Sequence, residues 1–330
     1  MIVTVTPNPS IDRTVTLPEE LRRGAVHRVV SVTSEPGGKG VNVARALTLA
    51  DVDTTAVLPA AEHDPILAGL AAQGVIFRAV PIAGGVRTNL TITEADGTTT
   101  KINEPGAVLD PAEAEALAWA VIQSARAGHW VVLSGSLPPG LPPGWYSDMT
   151  AALKAHGCTV AVDTSDAPLT ALAARLEHAA PDLIKPNSEE LAGLAAVPPA
   201  SLEDAVARGD AGPVVDAARR LVDRGVGAVL ATLGPAGAVL VDAGGAWLAT
   251  PPPITPRSTV GAGDASLAGY IRADVEGSNA PGRLQMAVAY GSAAAALPGS
   301  ALPSPAQLNL DDVAVSSVPN RPRPRPEGAP

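Results

Sequence analysis

The segment Ser258-Thr259-Val260-Gly261-Ala262-Gly263-Asp264-Ala265 runs directly into an apolar stretch with helical spacing. Its two glycines permit a tight turn and close approach of a ligand to the backbone. The N–H groups of a helix start point outward, and the helix dipole favours an anion at that end. A carboxylate in the same turn is placed to take a proton from an attacking hydroxyl. An anion cradle beside a general base is what phosphoryl transfer needs, and these roles would fall on Gly261, Ala262, Gly263 and Asp264. The alternative is that Asp264 only stabilises the N-terminus of its helix.

A second stretch, Pro36-Gly37-Gly38-Lys39-Gly40-Val41-Asn42-Val43-Ala44-Arg45, resembles a phosphate loop but lacks the G-x-x-x-x-G-K-[ST] spacing. Its glycines let a polar ligand lie against the main chain, with Lys39 and Asn42 as donors; a plain glycine turn before a helix fits equally. In Lys185-Pro186-Asn187-Ser188-Glu189-Glu190, Asn187 and Glu190 are three apart and share a helix face. An amide and a carboxylate there can hold magnesium through its waters, since hard cations prefer oxygen. An ordinary acidic helix start accounts for the same residues. Three further segments follow strand-like runs, where open parallel sheets bind ligands: Asn8 to Asp12, Ser134 to Gly140 and Thr232 to Gly237. Asp12 can accept from sugar hydroxyls and the last segment can shape a nucleotide pocket, although each also reads as a turn.

These residues need a frame. Val/Ile-rich runs at 2–6, 53–58, 129–133, 159–163, 182–184 and 227–232 alternate with helical patterns at 39–50, 64–73, 111–126, 144–155, 167–175, 188–195 and 213–224. Strands without polar alternation, separated by helices, predict a mostly parallel sheet covered on both faces. Residues 12–33 and 86–103 instead alternate polar and apolar around the Asp96-Gly97 turn, as a small sheet or lid with one wet face would. A hairpin is expected at 237–249 and helices at 261–275 and 281–296. One domain spans 1–315, and 316–330, Pro/Arg-rich from Pro319 to Pro330, is expected to be a disordered tail.

Composition narrows the function. The chain has 330 residues, is 46% hydrophobic with only 2% aromatics, and carries a net charge of −10, so its core is built from small branched side chains and it lacks the basic face of a nucleic-acid binder. Anionic substrates remain compatible, since local Lys, Arg and backbone N–H groups can bind phosphate in an acidic protein. The single Cys158 leaves no intramolecular disulfide or Cys-based zinc site, and the five histidines have no metal-ligand spacing. With neither a leader pattern after Met1 nor an uncharged run of 18 apolar residues, a soluble cytoplasmic protein without membrane partners is expected.

Together, Gly37-Gly38-Lys39-Gly40 and Val260-Gly261-Ala262-Gly263-Asp264 resemble the ribokinase-like carbohydrate kinases, phosphofructokinase B branch, with order and spacing matching from residue 1 to about 300. The runs Thr6 to Asp12, Arg87-Thr88-Asn89, Lys101 to Gly106 and Ser134 to Gly140 look like the 1-phosphofructokinases and tagatose-6-phosphate kinases, closest to the bacterial 1-phosphofructokinases. The resemblance implies a three-layer α/β/α domain with a β-sheet lid, ATP and Mg2+, and fructose 1-phosphate as acceptor, with tagatose 6-phosphate or fructose 6-phosphate as alternatives. It implies Asp264 as base and the Gly261–Gly263 amides as anion hole. Asp12, Gly37, Gly38 and Asn42 would contact the sugar, Lys39 and Arg87 its phosphate, and Asn103 and Ser136 would add sugar contacts. Lys185 and Asn187 would face the ATP phosphates, Thr232, Gly234 and Gly237 line the nucleotide site, and Glu190 act on magnesium through water. It further implies a homodimer formed through the lid. Ala265, where many relatives have Ser, and the tail depart from the pattern. A reading from another class is a silent sugar-phosphate sensor, which would have no need of Asp264.

Overall fold

The strands are β1 (Ile2–Val5), β2 (Ser10–Thr16), β3 (Ser31–Gly37), β4 (Thr54–Ala60), β5 (Ile76–Pro81), β6 (Arg87–Thr93), β7 (Thr99–Asn103), β8 (Trp130–Ser134), β9 (Thr159–Asp163), β10 (Leu183–Ile184), β11 (Ala228–Thr232), β12 (Ala238–Asp242), β13 (Gly245–Thr250) and β14 (Ala314–Ser317). They come from a computed structural model that describes residues 1–198, 202, 204–206 and 208–319. The large sheet has the order β14-β13-β12-β11-β10-β9-β8-β1-β4-β5, parallel from β11 to β5 and antiparallel from β11 to β14.

Successive residues of a strand point to opposite faces, and both faces here are covered. On one side Val3, Val131, Leu133 and Val162 pack with Leu117, Tyr146, Leu153, Leu172 and Leu221 from helices Pro111–Ser124, Trp145–Ala155, Asp166–Ala174 and Gly212–Val222. On the other, Ile2, Val132, Leu183 and Leu230 pack with Leu47, Leu267, Ile271 and Leu284 from helices Lys39–Thr48, Ala262–Val275 and Ala280–Ala295. Burying one such Leu or Val stabilises by about 1.5–3 kcal/mol, and the continuous apolar runs follow from having no wet face. The three-layer α/β/α architecture expected from the sequence is thus present. Local signals set the helix starts: Asp110 accepts from Glu113 N at 2.8 Å while Glu113 Oε2 accepts from Asp110 N, with Pro111 between them in the first turn.

The small sheet is separate, ordered β3-β2-β6-β7. Its register sets Glu35, Asp12, Asn89 and Asn103 side by side in one row, with Gly37, Ser10 and Arg87 in another row on the same face. The opposite face carries Ile11, Val15, Val32, Leu90, Ile92 and Ile102. β3 extends beyond the expected limit at 33 to Gly37 and leads straight into helix Lys39–Thr48, so lid strand and glycine loop are one continuous segment.

Among the elements not anticipated are β5, the short helix Leu176–Ala179 and β14. β5 is an edge strand whose Ile76 is exposed and whose run ends in Pro81, so neither continuous burial nor clean alternation marks it. The tail does not begin at 316: Ser316 and Ser317 pair with Leu248 and Trp247 in the ladder, and Val318 N donates to Ala246 O at 2.8 Å. Small polar residues gave that strand no apolar signature. From residue 320 the tail lies outside the described residues. No helix among the described residues is long and apolar enough to cross a membrane.

Helix Lys39–Thr48 lies close against β1. A β-carbon at Gly40 would fall 2.5 Å from Thr6 Oγ1 and 2.7 Å from Val5 O, and backbone cannot move aside cheaply. Gly40→Ala is expected to destabilise by about 1–3 kcal/mol through overpacking, read as a lower urea midpoint; an unchanged midpoint would show that this contact is looser than described.

Candidate active site

The carboxyl ends of β1, β8, β9, β10 and β11 lie at one edge of the large sheet, and the segments that leave them bring the polar residues together. At its centre is a residue the motifs did not reveal. Asp163, the last residue of β9, is wholly buried; its Oδ1 accepts from Lys39 Nζ at 2.9 Å, and its Oδ2 forms an ion pair with Lys185 Nζ at 3.2 Å. Burial alone would raise its pKa, but Lys185 and Lys39 outweigh that and hold the carboxyl below the ordinary carboxylate value. For Lys39, burial pulls down while Asp163, Asp264 and Glu190 pull up more strongly, so it stays charged. A carboxylate that ends a Val-rich buried strand, Thr159-Val160-Ala161-Val162-Asp163, was the available signal.

Asp264 lies in the first turn of helix Ala262–Val275, whose N-cap Gly261 has φ 77° and supplies no side-chain cap. The amides of Gly263 and Asp264 therefore face outward without helix carbonyls to meet. Asp264 is 7% exposed, and its Oδ2 accepts from Asn42 Nδ2 at 2.8 Å. Its carboxylate is thus bound to a residue from a distant helix, which the helix-stabilising alternative does not require. Burial raises its pKa, Lys39 lowers it and Asp163 raises it again, for a net upward shift. A β-carbon at Gly263 would lie 3.2 Å from Lys185 Nζ, so that ammonium sits against the glycine turn.

On the lid, Asp12 Oδ1 accepts from Ser10 Oγ at 2.8 Å and from Asn89 Nδ2 at 3.0 Å. A β-carbon at Gly37 would sit 2.3 Å from the Asp12 carboxylate, which would have to shift to admit it; Gly38 caps helix Lys39–Thr48 with φ 108°. Arg87 donates Nη1 to Glu104 O at 3.2 Å, while its buried Nε has no partner. Burial lowers the pKa of this guanidinium and Asp12 opposes the shift. Lys39 and Arg87, expected to grip one phosphate, have different partners: Lys39 is committed to Asp163 beside Asp264. Asn103 is exposed at the end of the polar row. Ser136 Oγ accepts from Asn8 Nδ2 at 3.2 Å, and Asn8 also holds Pro105 O at 3.0 Å, tying the β8 loop to the lid's return segment.

On the other side of the lysines, Asn187 bridges to Thr232, joining the segments that leave β10 and β11. Asn187 and Glu190 cap their own helix reciprocally: Asn187 Oδ1 accepts from Glu190 N at 2.8 Å and Glu190 Oε2 from Asn187 N at 2.9 Å. The plain helix start therefore explains this spacing, with one carboxylate oxygen committed to the cap. Burial chiefly raises the pKa of Glu190, and Lys39 and Lys185 counter it. Gly234 and Gly237 have positive φ in the turn before β12, and a β-carbon at Gly237 would meet Ala249 O at 1.9 Å, so sheet packing alone requires that glycine. No cluster of three or more His, Cys, Asp or Glu placed to hold a metal occurs among the described residues.

The pattern described as pfkB family carbohydrate kinase matches residues 6–307. The chain belongs to this family. It is 39% identical to the 1-phosphofructokinase of Xanthomonas campestris over 82% of this chain and 83% of the relative, and 37% identical to that of Rhodobacter capsulatus over 93% and 94%. It is 33% identical, over 91% and 94%, to the ATP-dependent 6-phosphofructokinase isozyme 2 of Escherichia coli. A solved structure of phosphofructokinase-2 from Escherichia coli in complex with substrates and products superposes with a TM-score of 0.83 at 31% identity, covering 93% of this chain and 96% of that one. The chain thus has the ribokinase-like fold of pfkB kinases, and its resemblance to them is sustained.

Because folding lowers the pKa of Asp163 below an unfolded value near ~3.9, its stabilisation is complete above that value and is lost as pH falls through the folded value. Asp163→Asn leaves two buried or half-buried ammonium groups without their counter-charge and is expected to cost about 3–5 kcal/mol at neutral pH. Urea unfolding of the variant should show a shallower acid loss below about pH 4 than the parent; equal losses would mean that Asp163 does not carry the pairing.

Proposed function

We propose that this kinase transfers the γ-phosphoryl group of ATP to a hydroxyl of fructose 1-phosphate, giving fructose 1,6-bisphosphate and ADP. The observation that carries the reading is Asp264, a buried carboxylate at a glycine-rich helix start, held by Asn42 and flanked by two lysines. Asp264 takes the proton of the acceptor hydroxyl as its oxygen bonds to the γ-phosphorus. The bond from that phosphorus to the β–γ bridging oxygen breaks, and ADP leaves with the electron pair. The amides of the Gly261–Gly263 turn, with Lys185 beside them, stabilise the charge on the transferring group. Lys39, held by Asp163 near Asp264, serves the same charge and is reassigned from the sugar's phosphate. Thr232, Gly234, Gly237 and Asn187 wall the nucleotide side, and Gly37, Gly38 and Asn42 the sugar side. Glu190 fits a magnesium ion at one remove: its second oxygen can accept from a metal-bound water, and a cation would offset the burial that raises its pKa. When bound with ATP, magnesium neutralises phosphate charge.

A phosphorylated acceptor is supported by Arg87. A buried guanidinium N–H without a partner beside a polar lid row is a donor awaiting an anion, and phosphate matches its fork. Asp12, Asn103 and Ser136 lie along the same side as candidate contacts to the sugar hydroxyls. The choice of fructose 1-phosphate rests on the names of the relatives at 37–39% identity. The 33% identical relative named as a 6-phosphofructokinase keeps fructose 6-phosphate as the second reading. ADP release with magnesium-ATP is expected to be at least about tenfold more efficient with fructose 1-phosphate, in kcat/KM, than with fructose 6-phosphate or tagatose 6-phosphate. Asp264→Asn should lower kcat roughly 10²- to 10⁴-fold while sugar-phosphate binding persists. Retained turnover would end the assignment of the base, and no turnover by the parent would favour a sugar-phosphate sensor.

The lid's rear face supports a homodimer. Val32 and Ile102 are 44% and 55% exposed there, beside Val15, Leu90 and Ile92, and such a face is better buried against a second copy than left in water. Val32→Asp with Ile102→Asp should convert a dimer into monomers in sedimentation velocity; an unchanged species would remove the lid from the interface.

A further inference from the structure

Arg45 lies outside every contact expected of the site, yet its side chain links the lid to Asp264. It is 7% exposed on helix Lys39–Thr48. Its Nε donates to Gln73 Oε1 at 2.6 Å, Nη1 to Pro36 O at 3.1 Å and to Asn42 Oδ1 at 3.3 Å, and Nη2 to Glu35 Oε2 at 3.0 Å. Glu35 Oε2 also accepts from Ser300 Oγ at 2.8 Å, in the turn after helix Ala280–Ala295. In the lid, Glu35 stands directly across from Asp12.

A guanidinium only donates, so it fixes which end of the Asn42 amide faces it. The oxygen turns to Arg45, and the NH2 is left to donate to Asp264 Oδ2 at 2.8 Å. The reversed amide would set an oxygen against the carboxylate. We infer that Arg45 is a positioning residue: it orients the Asn42 amide toward Asp264, and Glu35 ties that orientation to the place of the lid strand. A donor held on the ionised carboxylate favours the form that can accept a proton. The inference rests on Asp264 being the base.

The test compares Arg45→Met, Arg45→Lys, Glu35→Gln and Asp264→Asn in kcat and KM across pH, with thermal unfolding of each. Lys39, Asp163 and Lys185, the charged groups that act on Asp264 from the neighbouring elements, are unchanged in the first three variants. Arg45→Met is expected to lower kcat about tenfold, the scale of one hydrogen bond, and to move the acid limb of kcat to higher pH, with KM for ATP little changed. Arg45→Lys should restore part of kcat, and Glu35→Gln should lower it by a smaller factor with the fold intact. If Arg45→Met does not fold, Arg45→Lys and Glu35→Gln decide. The inference is overturned if these variants keep the parental kcat and acid limb, or lose activity only in proportion to unfolded protein. Retained turnover in Asp264→Asn would instead overturn the assignment of the base itself.

Discussion

A carboxylate removed from water is unstable as an anion unless cations meet it, and Asp163 meets two. The two lysines come from parts of the chain with nothing else in common, one opening the helix after the glycine loop and the other following β10. Their shared counter-ion fixes both ammonium groups in space. Lys39 is thereby set to act on Asp264, and Lys185 against the glycine turn beside it. Without that fixed positive charge, a second buried carboxylate at Asp264 would be still harder to ionise. Asp163 and Asp264 face Lys39 and Lys185 there, and Glu190 adds a third negative group that acts on Lys39.

The lid extends the same logic. Alternation along its strands puts the aliphatic residues on one face, among Arg13, Ser34, Thr88 and Thr100, and the register aligns Glu35, Asp12, Asn89 and Asn103 into a row on the other. β3 ends where the glycine loop begins, so the lid is joined to Lys39 and Asn42 through a few covalent bonds. Arg45 adds a route through hydrogen bonds. Both routes are consequences of one short segment, Glu35 to Arg45, serving as strand, turn and helix.

Much of the fold was legible because its signals are local. Continuous apolar runs marked β1, β8, β9 and β11, and helical spacing marked the helices between them. β5 and β14 escaped because an edge strand has one neighbour and little burial to enforce a pattern. In the site, glycines beside charged or polar residues announced Asp264, Lys39 and Asn42. Asn187 and Glu190 show the opposite case, since a capping box and a metal-water contact call for the same residues at the same spacing.

By itself, the sequence determined the order of most strands and helices, the three-layer class and the two glycine turns, because periodicity and glycine content act over a few residues. Which side chains meet was decided only by the tertiary structure. The pairing of Asp163 with Lys39 and Lys185, the Asn42–Asp264 contact over 222 positions of chain, and the Arg45 link to Glu35 depend on sheet order and on how helices cross it. A lysine in a glycine loop carries no mark of its counter-ion, because Coulomb attraction depends on distance through space and not on separation along the chain.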